Sequence, residues 1–175
     1  MNRNQISEII YKYLKFHFSA LKNKLESRKD SIPYFYVDNL LPEELANKLF
    51  NHFPETNEMM HKKSLRENKY VGFKMNKYDL ILEECIYAFH DPKIVDLISQ
   101  IFNLKNVMPD TNLYAGGLSA MDEGQFLNPH LDNSHDKDRN LWRVLNLLYY
   151  VTPSWKEEYG GNLELWPNGL ENKPI

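Results

Sequence analysis

The sequence has a single cysteine, Cys85, which excludes an internal disulfide and fits a reducing compartment. It has no run of about 18 or more apolar residues, the minimum that a membrane-spanning helix needs. Its first residues lack the uninterrupted apolar core and the small-residue cleavage site of a secretory signal peptide. These absences predict a cytoplasmic protein with no membrane span. Cys85 lies in the helical-looking segment ILEECIYAF, which indicates a buried thiol in preference to a nucleophile.

Neither sign of charge dominates: the chain has 21 basic and 24 acidic residues and a formal net charge of −3. This balance gives no general reason to expect a nucleic-acid partner. Hydrophobic residues make up 42% of the chain and aromatic residues 13%, which is typical of a globular protein and not of a disordered one. With 175 residues, no repeat and no Pro/Gly/Ser-rich linker, the chain is predicted to form a single domain over residues 1–175.

Residues 1–106 are predicted to be mainly helical. Apolar residues recur at three- and four-residue steps over residues 3–28, which predicts an amphipathic helix. Because the first 30 residues carry seven basic and three acidic side chains, this helix has two interpretations. The helix either lies on a membrane surface or packs on the domain's own sheet, and we favour packing on the sheet. Two further helices are predicted over residues 79–89 and 92–102, the second with Asp91 as its N-cap.

From residue 107 onward, apolar and aromatic runs of strand length alternate with Gly, Asp, Asn and Pro. The runs are LYAGGLSAM, QFLNPHLD, WRVLNLLYYVT and GNLELW. Helices followed by a cluster of strands predict one α+β domain, with the helices packed outside a sheet or barrel formed by residues 107–175.

The run QFLNPHLD contains His130 and Asp132, which the two-residue period of a strand would place on the same face. A neutral imidazole and a carboxylate can hold one ion and leave room for a third ligand. This is the donor chemistry of the two-His-one-carboxylate triad of non-haem Fe(II) sites. A chain of this composition contains an H-x-D pair by chance about one time in three, so the pair alone is a weak signal. A Cys-rich zinc site is excluded by the single cysteine.

Other interpretations of the stretch NPHLDNSHDKD stay open. Asp132, Ser134 and Asp136 have the spacing of a calcium loop, but the position that needs glycine holds Lys137. Alternatively, His135 completes a local His-Asp-His metal site, although a polar loop gives its side chain no reason to point back. A solvated loop that binds no metal is a further alternative.

Residues 109–166 resemble the core of the prolyl-4-hydroxylase-like Fe(II)/2-oxoglutarate dioxygenases. In that family, a glycine-containing turn leads into a strand with H-x-D, and a polar loop and two further strand motifs follow. This sequence has the same motifs in the same order: His130-x-Asp132, RVLNLLYY over residues 143–150, Trp155, and GGNLEL over residues 160–165. A weaker resemblance extends over residues 33–168.

The resemblance implies a double-stranded β-helix, or jelly-roll, buttressed by the N-terminal helices. It also implies Fe(II) held by His130 and Asp132, and 2-oxoglutarate as the cosubstrate, with ascorbate as an accessory reductant. The side chains that the family pattern assigns to the cosubstrate pocket are Asn146, Leu148, Tyr150 and Leu163. For the two leucines, plain core packing is a nearly equal alternative. Tyr149 is expected to pack against helices, and Arg143 is expected to lie at the surface or to anchor a loop.

The sequence departs from the family pattern in two ways. The family's cosubstrate-binding tyrosine ahead of the metal histidine is absent, because that neighbourhood reads LSAMDEG. The family's second metal histidine, and its basic residue for the far carboxylate of 2-oxoglutarate, lie beyond the position of Ile175. We therefore expect a family member that lacks its last strands and whose open sheet edge a partner chain covers. We expect such a chain to bind Fe(II) weakly and to turn over little 2-oxoglutarate.

The predicted function is that of an oxygenase of the hydroxylase type, with a small molecule or a peptide as substrate. The main alternative is a catalytically inactive jelly-roll that serves as a binding or interaction module. A sugar-binding jelly-roll that uses Trp142, Trp155 and Trp166 is a third interpretation, which rests on composition alone. A third iron ligand from a partner chain or from a longer reading frame favours the enzyme, whereas failure to bind iron even with the reading frame extended favours the module.

Overall fold

A computed structural model describes residues 1–28, 31–114, 116–132 and 134–175. The helices in these residues are α1 (Arg3–Phe16), α2 (Phe18–Glu26), α3 (Glu43–Asn51), α4 (Leu80–Phe89) and α5 (Pro92–Ile101). The strands are β1 (Met60–Lys63), β2 (Glu67–Gly72), β3 (Leu118–Ala120), β4 (Phe126–Leu127), β5 (His135–Asp136) and β6 (Leu141–Trp142). All the strand pairs are antiparallel, so the predicted α+β class is confirmed.

The N-terminal amphipathic segment forms two helices where the sequence predicts one. The backbone of His17, with φ −92° and ψ 5°, ends α1 and begins α2. The apolar side chains of both helices are buried in the protein's own core, at Ile6, Ile10, Leu14, Leu21 and Leu25. Helix α1 packs against α4 and α5, and α2 packs against α5, where we expected a sheet. The apolar stripe is therefore used for internal packing.

The helices α4 and α5 begin at aspartates, as is typical of helix N-caps. The side chain of Asp79 accepts a hydrogen bond from the backbone N–H of Ile81 at 2.9 Å, and Asp91 accepts one from that of Lys93 at 3.0 Å. Asp91 is thus the N-cap that the sequence predicts. Cys85 on α4 is 5% exposed, which confirms that the thiol is buried. Within the described residues, no helix is both long enough and apolar enough to cross a membrane.

The larger sheet is centred on β2, which pairs with β1 on one side and with both β3 and β4 on the other. Its register places His61 opposite Tyr70, Tyr70 opposite Ala120, and Asn68 opposite Phe126. The strands β5 and β6 form a separate hairpin. The sequence predicts neither β1 nor β2 at residues 60–72, because their polar side chains lack the apolar alternation of a half-buried strand.

The jelly-roll predicted for residues 107–175 is not confirmed. Residues 143–151 and 161–166 belong to no strand, although both segments were predicted to be strands. A strand requires a neighbour that accepts and donates its backbone hydrogen bonds. The backbone N–H of Arg143 donates to the carbonyl oxygen of Ser134 at 2.7 Å, and Leu165 and Ile175 exchange two bonds of 3.1 and 2.9 Å. These isolated bonds do not form a continuous ladder.

Candidate metal site at His130 and Asp132

The segment that carries His130 is attached to the turn between β1 and β2. The backbone N–H of Asn128 donates to the carbonyl oxygen of Arg66 at 2.9 Å. The side-chain amide of Asn128 donates to the carbonyl oxygen of Leu65 at 3.0 Å. His130 and Asp132 follow β4 in an irregular segment and not on the strand that the sequence predicts. The two bonds of Asn128 therefore take over part of the positioning that a strand ladder would provide.

The tautomer of His130 is determined by its contact with Asn128. Its Nδ1 lies 2.7 Å from the backbone carbonyl oxygen of Asn128. Because a carbonyl oxygen can only accept, Nδ1 carries a proton, which leaves Nε2 as the ring nitrogen that can bind a metal ion. Nε2 lies 3.5 Å from Oδ1 of Asp132. A histidine that donates one ring N–H to a carbonyl and presents the other nitrogen is the usual arrangement of a metal ligand.

The carboxylate of Asp132 has two further partners. The side-chain amide of Asn146 donates to its Oδ2. Nη1 of Arg143 lies 3.3 Å from its Oδ1 and donates to Oδ1 of Asn146 at 3.1 Å. Asp132 is therefore oriented from both sides, with Oδ1 shared between His130 and Arg143.

The donor pair fits a divalent metal ion in its chemistry and spacing. Two atoms 3.5 Å apart can both lie about 2.1 Å from one ion, the usual distance from a zinc-like ion to nitrogen or oxygen. A neutral imidazole nitrogen and a carboxylate oxygen also suit Fe(II). No third ligand joins them, because the part of the chain that the structure describes contains no group of three or more His, Cys, Asp or Glu side chains that could hold a metal ion.

His135 does not complete the site. Its Nε2 lies 3.0 Å from Oδ1 of Asn140, and its ring packs on that of Trp142 with the centroids 4.7 Å apart. Both contacts hold the imidazole within the β5–β6 hairpin. The structure therefore gives no support to a local His-Asp-His site.

The calcium-loop interpretation also lacks support, because Asp136 is engaged elsewhere. Its Oδ2 accepts from Nε of Arg139 at 2.5 Å, and the same guanidinium donates to Oδ1 of Asp110 at 2.6 Å. Burial alone would raise the pKa of Asp136. The hydrogen bonds from the Arg139 side chain and from the backbone N–H groups of Arg139 and Asp138 outweigh that effect and lower the pKa. Asp136 thus holds Arg139, whose guanidinium links the β5–β6 hairpin to Asp110.

Of the four side chains expected in the cosubstrate pocket, the structure brings Asn146 to Asp132. The other three are largely exposed to solvent, with fractions of 59% for Leu148, 66% for Tyr150 and 55% for Leu163. The opposite side of the segment is packed as the sequence predicts: Tyr149 lies against Phe89 of α4, with ring centroids 5.9 Å apart. Burial, and secondarily Cys85, raise the pKa of Tyr149 to about 12.

Arg143 is a site residue that the sequence does not predict. It was expected at the surface or anchoring a loop, yet its guanidinium contacts both Asp132 and Asn146. The alternation of a strand puts residues 143 and 146 on opposite faces, so a pattern of period two cannot bring them together. The irregular backbone at this position is what allows the contact.

Comparison with known proteins identifies one related family. Residues 116–174, about a third of the chain, match the family model of the 2OG-Fe(II) oxygenase superfamily. The match supports a 2OG-Fe(II) oxygenase-like domain in this part of the chain, where 2OG denotes 2-oxoglutarate, and the matched range includes His130, Asp132 and Asn146. No match was found among curated proteins or among solved structures.

Proposed function

We propose that this chain is an Fe(II)- and 2-oxoglutarate-dependent oxygenase of the hydroxylase type, similar to the prolyl 4-hydroxylases. The observation that carries the proposal is the orientation of His130. Its Nδ1 is hydrogen-bonded to a carbonyl oxygen, so that its Nε2 faces the Asp132 carboxylate at 3.5 Å. This pair lies inside the segment that matches the 2OG-Fe(II) oxygenase superfamily.

In this proposal His130 and Asp132 hold the iron. When bound, Fe(II) would supply the chemistry by which the two atoms of O₂ are divided, one entering succinate as 2-oxoglutarate loses CO₂ and the other entering the hydroxyl group formed at a substrate C–H bond. The carbonyl of Asn128 keeps the proton on Nδ1 of His130, and the amide of Asn146 orients Asp132. Such partners of metal ligands commonly control metal affinity.

We propose that 2-oxoglutarate contacts Leu148, Tyr150 and Leu163. The Tyr150 hydroxyl donates a hydrogen bond to one of its carboxylates. Tyr149 packs against α4, whereas the side chain of the neighbouring Tyr150 is exposed to solvent. The exposure of all three side chains leaves them accessible to a ligand. Their apolar surfaces also suit the hydrocarbon part of a small dicarboxylate.

A second candidate, an inactive binding module, is favoured by one specific observation. The described residues supply two metal ligands, and Arg143 places a fixed positive charge on the carboxylate of one of them. A guanidinium on Asp132 can stabilise this cluster without a metal. In that case His130 and Asp132 serve as structural groups, and the exposed apolar side chains around Leu148 serve as a contact surface for a partner chain.

Metal binding and turnover distinguish the two candidates. Binding is measured with Mn²⁺ as an air-stable substitute for Fe(II), from the loss of the free-ion electron paramagnetic resonance signal. We expect weak binding by the unaltered chain and none by His130→Ala or Asp132→Ala. His52→Ala is the matched control, because this histidine lies at the end of α3 and its Nδ1 contacts the carbonyl of Lys48.

Turnover is then measured as succinate formation from 2-oxoglutarate in the presence of Fe(II) and ascorbate. Succinate that requires both His130 and Asp132 supports the oxygenase. Metal binding that is unchanged in His130→Ala overturns the assignment of this site. Site-specific metal binding without any succinate, across candidate small-molecule and peptide substrates, supports the binding module.

A further inference from the structure

Contacts of the Arg143 backbone and of its side chain hold the guanidinium beside Asp132. At the backbone, the N–H of Arg143 donates to the carbonyl oxygen of Ser134 at 2.7 Å. At the side chain, Nη1 lies 3.3 Å from Oδ1 of Asp132 and 3.1 Å from Oδ1 of Asn146. The side chain is 23% exposed, so the group is both positioned and accessible to a small ligand.

Arg143 and a metal ion bound by His130 would share the same oxygen. Oδ1 of Asp132 is the atom that faces Nε2 of His130, and it is also the atom nearest to Nη1 of Arg143. A divalent cation and a guanidinium repel each other, and each is stabilised by the negative charge of that carboxylate. Arg143 therefore opposes binding of a cation for as long as it remains on Oδ1.

The guanidinium retains donors for a second partner. It has five N–H groups in a planar fork, and both contacts within the described residues use Nη1. This fork matches the two oxygens of a carboxylate, and such pairs are stronger than neutral hydrogen bonds. A small carboxylate anion near the metal would thus find its positively charged partner at Arg143.

We propose that Arg143 binds a carboxylate group of the anionic cosubstrate and, in the absence of that anion, weakens binding of the metal. The inference rests on the proposed function, since it takes 2-oxoglutarate as the ligand. Movement of the guanidinium from Asp132 to the anion releases Oδ1 for the metal. By thermodynamic linkage, the anion then strengthens metal binding and the metal strengthens anion binding.

The test compares the unaltered chain with Arg143→Gln and Arg143→Lys in two measurements that need no turnover. The first is the Mn²⁺ affinity without 2-oxoglutarate, which we expect to increase in Arg143→Gln because a competing cation is removed. The second is the 2-oxoglutarate affinity of the Mn²⁺-loaded protein, from isothermal titration calorimetry. We expect it to fall about 10- to 100-fold in Arg143→Gln, as is typical for loss of a charge-assisted bond. Arg143→Lys should recover part of that loss.

Lys22→Gln is the control, since it removes one positive charge from an exposed residue of α2. Its two affinities should be close to those of the unaltered chain. If Arg143→Gln weakens Mn²⁺ binding, Arg143 only holds the site together, and the inference is wrong. It is equally wrong if 2-oxoglutarate binding is unchanged in Arg143→Gln. These outcomes differ from failure of the proposed function, in which the unaltered chain binds no Mn²⁺ or binds it independently of His130.

Discussion

The side-chain amide of Asn146 donates a hydrogen bond to Oδ2 of Asp132, although 14 residues of sequence separate the two. This bond links the irregular segment after β4 to the extended segment that follows β6. It also leaves Oδ1 of Asp132 facing Nε2 of His130. The orientation of the proposed iron ligand therefore depends on a residue that is not itself a ligand.

Asn146→Ala should weaken Mn²⁺ binding about 10- to 100-fold, the usual effect of removing a hydrogen-bonding partner of a metal ligand. Binding is followed by the free-ion Mn²⁺ signal. Asn76→Ala, at an exposed position next to α4, is the control. Equal affinities for all of these proteins would show that Asn146 does not orient the ligand.

The hydrogen bond between Asp136 and Arg139 should make the free energy of unfolding depend on pH in the acidic range. The pKa of Asp136 is lowered in the folded protein, despite its burial, by hydrogen bonds from Arg139 and from the backbone of Asp138. A lowered pKa stabilises the fold above the pKa of the unfolded state, about 3.9 for Asp. That stabilisation is lost as the pH falls through the lower, folded-state pKa. The urea midpoint of Asp136→Asn should thus be reduced near neutral pH and should change less on acidification.

The measurement is a set of urea unfolding curves between about pH 7 and pH 3. Asp138→Asn is the matched control, because its side chain is exposed and lies in the same hairpin. It should retain the acid dependence of the unaltered chain. An Asp136→Asn protein with the same midpoint and the same acid dependence as that control would show that the Arg139 bond does not stabilise the fold.

The helical part of the fold was the most predictable from sequence, because its signals are local. The N-cap at Asp91 and the apolar periodicity of α1 lie within a few residues of the structures that they specify. The break at His17 was not predicted, since the apolar stripe continues from α1 into α2 without a proline or glycine to mark it. Packing of α1 on α4 and α5, and of α2 on α5, also depends on residues far away in the sequence.

Strand pairing was the least predictable part, because it depends on partners and not on the strand alone. Residues 143–151 have the alternation of a strand, and Tyr149 does pack on the side that it predicts. However, alternation does not provide backbone partners, and this segment forms no ladder in the described residues. For the site, sequence identified His130 and Asp132 as neighbours but could not place Arg143.

Cys85 should be unreactive towards thiol reagents in the folded protein. Burial raises the pKa of this thiol to about 12, so that almost none of it is the reactive thiolate near pH 8. Labelling by Ellman's reagent should be slower than for an unfolded chain by roughly a thousandfold or more. The reference is the same protein in denaturing guanidinium, and Cys85→Ser should give no signal, since the chain has no other cysteine. Labelling of the native protein at the unfolded rate would place the thiol at the surface.

Gly117 should tolerate alanine much less well than Gly124. Both have positive φ, 126° and 77°, which disfavours any side chain. A Cβ at Gly117 would also lie 2.4 Å from the carbonyl oxygen of Gly72 on β2, whereas one at Gly124 meets nothing within 4 Å. Gly124→Ala should cost about 1–2 kcal/mol of unfolding free energy, and Gly117→Ala more than about 3 kcal/mol, because backbone strain and a backbone clash combine. Urea unfolding of the two variants measures the difference. Equal losses would mean that β2 and β3 can separate locally at Gly72 without a cost to the rest of the fold.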